Sequence, residues 1–138
     1  MKGTISFSEN KDLPRDEVLN LYNDAEWYAY TKEPEVLMEA ISNSIYVRTA
    51  WENETLVGLI RVIGDGKTII YIQDILILKS HKRRGIGSQL ISTVMEKYGD
   101  VRQKVLLTDD NPETRGFYEA IGFESCDKGQ TVAFGIFG

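Results

Sequence analysis

Lys79, His81, Lys82, Arg83 and Arg84 form the densest basic run of the chain, and Gly85-Ile86-Gly87-Ser88 follows directly. Cationic side chains attract anions, and glycines let backbone N–H groups approach them closely. The run separates an almost continuously apolar stretch, Thr68 to Leu78, from an amphipathic one, Ser88 to Tyr98. A basic Gly-x-Gly turn that leaves a strand and opens a helix offers phosphate free amides and a favourable dipole. The dinucleotide fingerprint does not fit, because its third glycine would fall on Leu90, and this run lacks the Gly-Lys-Ser/Thr of a P-loop.

A second group of candidates lies further on. Asn111 can cap a helix from Pro112 to Ile121, with proline at the first helical position. Tyr118 follows Asn111 by about two helical turns, so the two share a face. Earlier, Gln73 and Asp74 interrupt the apolar stretch. A buried carboxylate needs a partner. Arg61 on the preceding strand could be that partner, or Asp74 could act as a general base, directly or through water. Both readings stay open. Strand alternation puts Gln73 and Asp74 on opposite faces unless a bulge intervenes. His81 precedes the loop and reads as non-catalytic, and Cys126 reads as a buried structural cysteine.

These residues need elements to hold them. Thr4 to Phe7 is a short strand, Pro14 to Ala25 and Pro34 to Ile41 are helices, and the aromatic Trp27-Tyr28-Ala29-Tyr30 connects them. Ser44 to Trp51 and Thr55 to Ile63 read as a hairpin around Glu52-Asn53-Glu54, and Gly64-Asp65-Gly66 is a further turn. Thr68 to Leu78 reads as a central strand covered on both faces. After the Ser88 to Tyr98 helix come a strand from Lys104 to Thr108, the Pro112 to Ile121 helix, and closing strands from Gly122 to Cys126 and Thr131 to Phe137. The alternation of strand and helix in the second half implies parallel pairing there, within an otherwise antiparallel, mixed sheet.

Lys82-Arg83-Arg84-Gly85-Ile86-Gly87 resembles the pyrophosphate motif of GNAT-type N-acetyltransferases, Gln/Arg-x-x-Gly-x-Gly/Ala, with lysine in the first place. Asn111 to Tyr118, followed by Gly122-Phe123, resembles that family's second signature, Asn-x-x-x-x-x-Phe-Tyr then Gly-Phe. The resemblance covers essentially the whole chain. It implies one α/β domain over residues 1–138, with a mixed, mostly antiparallel sheet flanked by helices in the order β-α-α-β-β-β-α-β-α-β-β. It also implies acetyl-CoA as cosubstrate and a primary amine, small molecule or peptide, as acceptor, with no metal. On it, the backbone of Ile75, Leu76 and Ile77 pairs with pantetheine, and Lys82, Arg83, Arg84, Gly85, Ile86, Gly87 and Ser88 hold pyrophosphate. Asn111 contacts pantetheine, and Tyr118 lies near the sulfur as general acid. Asp74 or an ordered water is the base, and a backbone N–H near Ile77 holds the oxyanion. Trp27, Tyr28 and Tyr30 wall the acceptor site, with Asp24, Glu26, Glu33, Glu35 and Glu39 around it to favour a cation. The rival is a non-catalytic acyl-CoA-binding or sensor module, which would need neither Tyr118 nor a base.

Bulk properties agree with that reading. The chain has 138 residues, 27% of them charged, and a net charge of -5. An acidic domain repels nucleic acid, and no apolar stretch is long enough to span a bilayer. One cysteine permits neither an internal disulfide nor a cysteine metal cluster. A cytoplasmic location is the default, since the first residues lack the apolar core of a signal peptide. A homodimer stays open.

Overall fold

The computed structural model describes residues 3–138. Five strands form one sheet in chain order: β1 (Ile5–Ser8), β2 (Tyr46–Glu52), β3 (Thr55–Gly64), β4 (Ile69–Ile77) and β5 (Gln103–Leu106). Only β4 and β5 are parallel. A parallel pair needs a crossover, and helix α4 (Ile86–Lys97) supplies it. Helices α1 (Arg15–Asp24), α2 (Tyr28–Thr31) and α3 (Pro34–Ser42) come between β1 and β2. Pro14 caps α1 rather than opening it, and the aromatic connector itself contains α2. The chain forms two compact units, one ending at Leu106 and the other running from Leu107 to Gly138.

Turn chemistry sets the hairpins of the first unit. Asn53 takes the left-handed conformation between β2 and β3, which asparagine tolerates better than most residues. Between β3 and β4, the Asp65 carboxylate accepts the N–H groups of Lys67, Thr68 and Ile69 at 2.8, 2.8 and 3.1 Å. Together with the Thr68 hydroxyl, these donors hold the Asp65 carboxyl well below the usual range. The tripeptide Gly66-Lys67-Thr68 belongs to this turn. It matches the end of a P-loop in sequence but opens no helix.

The β3–β4 ladder decides the layout of the site. Arg61 pairs with Asp74 while Val62 pairs with Ile72, so Gln73 is the extra residue of a β-bulge. A bulge breaks the two-residue alternation. Asp74 and Leu76, above it, are buried on the face that meets Tyr22 of α1. Ile70 and Ile72, below it, are buried on the opposite face, in register with Val62. That opposite face carries α4: a Cβ on Gly58 of β3 would lie 3.2 Å from Ile86. Each half of β4 is therefore deeply buried on one face only, where the sequence suggests cover on both. Val18, Leu21 and Tyr22 of α1 and Leu90, Ile91 and Val94 of α4 complete the core.

In the second unit, helix α5 (Pro112–Ile121) has its expected bounds. Gly122 ends it in the left-handed conformation, and the Phe123 N–H returns to the Tyr118 carbonyl at 3.1 Å. The closing strands expected over 122–126 and 131–137 do not form; Cys126–Lys128 is a 3₁₀ turn and 131–138 has no regular structure. An alternating pattern makes a strand only where backbone partners are supplied, and the pattern does not specify them. Cys126 is exposed, not buried as expected, because the 3₁₀ turn removes it from any sheet.

Candidate active site

The glycine loop begins where β4 ends. Lys79–His81 makes one 3₁₀ turn, and then Arg83 and Gly85 adopt φ of +65° and +78°. Glycine takes this conformation freely, and arginine does so at a cost. The Gln89 N–H bonds to the Gly85 carbonyl at 3.1 Å and closes the first turn of α4. The amides from Gly85 to Ser88 precede that bond, and no side chain caps them. A Cβ on Gly85 would meet nothing within 4 Å, and one on Gly87 would meet only Ile77 at 3.9 Å. Neither glycine is required by packing against the protein itself.

The basic side chains divide into two sets. Glu52, in the β2–β3 hairpin, takes His81 Nε2 at 3.2 Å and Arg84 Nη2 at 3.4 Å, and Arg84 also donates to the Gly3 carbonyl at 3.0 Å. His81 first, then Arg84, holds the Glu52 carboxyl below its ordinary value. Arg84 and His81 thus anchor the loop, while Lys82 and Arg83 stay exposed and carry no ion pair among the described residues. Lys79 ties the loop to the end of α1: its N–H donates to Asp24 at 2.8 Å and its ammonium lies 3.1 Å from Glu26.

β4 itself is the second part of the site. Its pairing with β5 runs from Ile69 to Ile72 and stops at the bulge. From Gln73 to Ile77, β3 is its one strand neighbour among the described residues. The backbone of Ile75, Leu76 and Ile77 therefore lies on an unpaired strand edge leading into the glycine loop.

The third part gathers at the bulge. Arg61 Nε lies 2.8 Å from Asp74 Oδ2, with both side chains buried. Tyr22 donates to the same oxygen at 2.9 Å, and Tyr30 donates to Oδ1 at 2.8 Å. Gln73 Nε2 donates to the Tyr30 hydroxyl at 2.9 Å, which shows that the bulge turns Gln73 and Asp74 to one side. The structural partner envisaged for Asp74 is thus present. With both oxygens engaged and 3% exposure, the carboxylate meets outside groups only through Tyr30, so direct proton abstraction by Asp74 is not what this geometry offers. Burial, and then the Asp74 charge, pushes the Tyr22 and Tyr30 hydroxyls up, Tyr22 the further. Burial would lower Arg61, but the Asp74 carboxylate outweighs it and keeps the guanidinium charged.

Trp27 and Tyr30 pack against Tyr22, with ring centroids 5.9 and 5.3 Å away. Tyr28 points away and is 57% exposed. Of the acidic residues expected around these aromatics, Asp24 and Glu26 are engaged by Lys79 and Glu35 by Arg15. Each of these three therefore already has a cationic or N–H partner within the protein.

In the second unit, Asn111 Oδ1 accepts the Thr114 N–H at 2.8 Å as the cap of α5. Tyr118 packs edge-on against Phe117 and Phe123, and burial raises its hydroxyl. Two contributors escaped the sequence reading. Glu52 falls in the hairpin turn, and Tyr22 lies within the Pro14 to Ala25 helix with no role given to it. No local signal marks Glu52. The need of a buried Asp74 for donors was a signal for some partner beyond Arg61, though not for which one.

An α/β protein with a basic, uncapped helix start beside an open strand edge is thus defined by its own geometry. The GNAT acetyltransferase domain family matches residues 9–136, and the chain belongs to that family. Acyl transfer from acyl-CoA goes with the assignment. A GNAT-family acetyltransferase of Streptococcus pneumoniae is 29% identical and superposes with a TM-score of 0.86 over 98% of each chain. A fungal protein of Gibberella zeae, whose name describes an acetyltransferase, is 28% identical over 79% of this chain and 74% of its own. The fold is shared with an aminoglycoside N-acetyltransferase solved with CoA, at a TM-score of 0.69, 17% identity, and coverage of 99% and 97%. Among the described residues no helix is long and apolar enough to cross a membrane.

Proposed function

We propose that the protein transfers the acetyl group of acetyl-CoA to a primary amine, small molecule or peptide, by direct attack within a ternary complex. The observation that carries this reading is the uncapped start of α4 behind Gly85, set at the end of an unpaired β4 edge. Pyrophosphate takes the amides of Gly85 to Ser88, with Lys82 and Arg83 as mobile counter-charges and Arg84 as the loop's anchor. Pantetheine, an extended amide chain, adds to the edge at Ile75 to Ile77 as a strand would. Asn111 contacts that arm as well as capping its helix.

The acetyl carbonyl then lies beyond Ile75, toward the bulge, with a backbone N–H of β4 for its oxyanion. The amine enters along Trp27 and Tyr30, with Tyr28 at the outer rim. Water takes the ammonium proton, and Asp74 acts from behind Tyr30. The nitrogen attacks, the C–S bond breaks, the nitrogen's surplus proton leaves to water, and Tyr118 protonates the departing sulfur. The whole chain, 1–138, works as one domain. A non-catalytic acyl-CoA sensor would keep the glycine loop but has no use for the bulge network or Tyr118.

The deciding experiment measures CoA release from acetyl-CoA with phenethylamine, spermidine, kanamycin and a lysine-containing peptide. Turnover with any of them supports the reading. Tight acetyl-CoA binding with no turnover across a broad amine panel favours the sensor.

A further inference from the structure

We propose that Glu52 is the positioning residue of the cofactor loop: its one carboxylate clamps both ends of the turn from His81 to Arg84 and so presets the amides that receive pyrophosphate. This rests on the glycine loop as the acetyl-CoA site and adds a determinant from outside the loop.

The clamp comes from the β2–β3 hairpin. Glu52 Oε1 receives His81 Nε2 at 3.2 Å, and Oε2 receives Arg84 Nη1 and Nη2, each at 3.4 Å. Only Lys82 and Arg83 lie between these two points, and both are exposed. The Gly3 N–H also reaches Oε2, at 3.1 Å, and Arg84 donates to the Gly3 carbonyl at 3.0 Å. An ionised carboxylate only accepts, so His81 gives it the Nε2 proton. In the neutral ring Nδ1 is then bare and takes the Ser80 hydroxyl proton across 2.7 Å. The side chains of His81, Arg84 and Glu52 are 13%, 15% and 25% exposed, so these are not the freely solvated pairs that contribute little. His81, and after it Arg84, keeps the Glu52 carboxyl below its ordinary value, so the clamp is charged at neutral pH.

The clamp holds a conformation that the loop would not keep alone. Arg83 stands at φ +65°, in the left-handed region that residues other than glycine rarely adopt. A residue stays there only where its surroundings fix it. No protein atom lies within 4 Å of a Cβ added at Gly85, so packing does not fix the loop on that side. Released at both ends, Arg83 relaxes to negative φ and re-aims the peptide units that lead into Gly85 and α4. Acetyl-CoA then binds only the fraction of molecules that still hold the loop in place. The hydrogen-bond partners of the Glu52 side chain are separate from the Tyr22, Tyr30 and Asp74 network, so the amine side should not feel the loss.

The test measures acetyl-CoA dissociation constants by calorimetry, which needs no acceptor. Glu52→Ala should bind acetyl-CoA about 10- to 100-fold more weakly, as a loop competent in about one to ten per cent of molecules would. With whichever of phenethylamine, spermidine, kanamycin or the lysine peptide turns over best, the amine KM should stay within about twofold. Glu52→Gln keeps the size and one acceptor oxygen; it should lose less and serves if Glu52→Ala does not fold. Because Glu52 acts through Arg84, adding Glu52→Ala to Arg84→Met should weaken binding by less than it does in the wild type. An unchanged dissociation constant in Glu52→Ala overturns the inference, whether or not its melting temperature falls. So does full additivity with Arg84→Met, or an amine KM raised as much as the acetyl-CoA constant. If the wild type itself binds no acetyl-CoA, the cofactor reading fails and this inference with it.

Discussion

Arg61 and Asp74 face each other across the β3–β4 ladder at 2.8 Å, directly beside the bulge that opens the sheet. The pair is buried, and breaking such a pair by removing one partner is costly. Asp74→Ala should destabilise the protein by about 3–5 kcal/mol in urea unfolding. Adding Arg61→Met should recover part of that loss. Recovery stays incomplete because the Tyr22 hydroxyl is left buried without an acceptor, a cost of about 1–3 kcal/mol. A double variant no more stable than the single one would show that the ion pair is not the source.

Gly87 separates binding from folding. The nearest atom to an added Cβ is Ile77 Cγ1 at 3.9 Å, ordinary contact, so Gly87→Val should fold. Acetyl-CoA at 100 times its dissociation constant should stabilise the wild type by about 2.7 kcal/mol and leave this variant's melting curve unmoved. Equal stabilisation of both proteins would remove the loop from the cofactor site.

Tyr118 is proposed to protonate the sulfur. A free thiol has a pKa near 8.5 and a free tyrosine one near 10, so the transfer is uphill by about 2 kcal/mol on those values. Burial raises the hydroxyl further but also disfavours the thiolate where that is desolvated. Tyr118→Phe should lower kcat about 10²-fold with acetyl-CoA binding and melting temperature little changed. Because its hydroxyl is raised, Tyr118 should give kcat no alkaline limb below about pH 10. Unchanged kcat, measured where chemistry limits turnover, would reduce Tyr118 to a packing residue.

Tyr22 gives the fold a pH dependence. Burial first, and then the Asp74 charge, raises its hydroxyl well above the ordinary value. Above about pH 10 the unfolded tyrosine loses its proton while the folded one keeps it. The folded state then binds more protons, so stability falls as pH rises through that region. Urea midpoints measured between about pH 8 and 11 should decline, and the decline should be shallower in Tyr22→Phe. Identical slopes would assign the effect to the other raised tyrosines.

What is local could be read from the chain alone. Asn111 caps α5 because its side chain reaches an amide three residues on, and Pro112 fits the first helical position. The loop from Lys82 to Ser88 opens α4 because its glycines relax the backbone where a strand gives way to an amphipathic helix. Both signatures were legible because chemistry and spacing lie within one stretch of chain. What depends on pairing could not be read that way. The bulge at Gln73 is a mismatch between two strands and cannot be read from either alone, yet it puts Gln73 and Asp74 on one side. The occupancy of Asp74 is set by Tyr22, 52 residues away, and by Tyr30, 44 residues away. Glu52 meets Arg84 across 32 residues. The strands expected at 122–126 and 131–137 fail for the same reason. Hydrophobic alternation is a property of one segment, whereas a strand is a property of two.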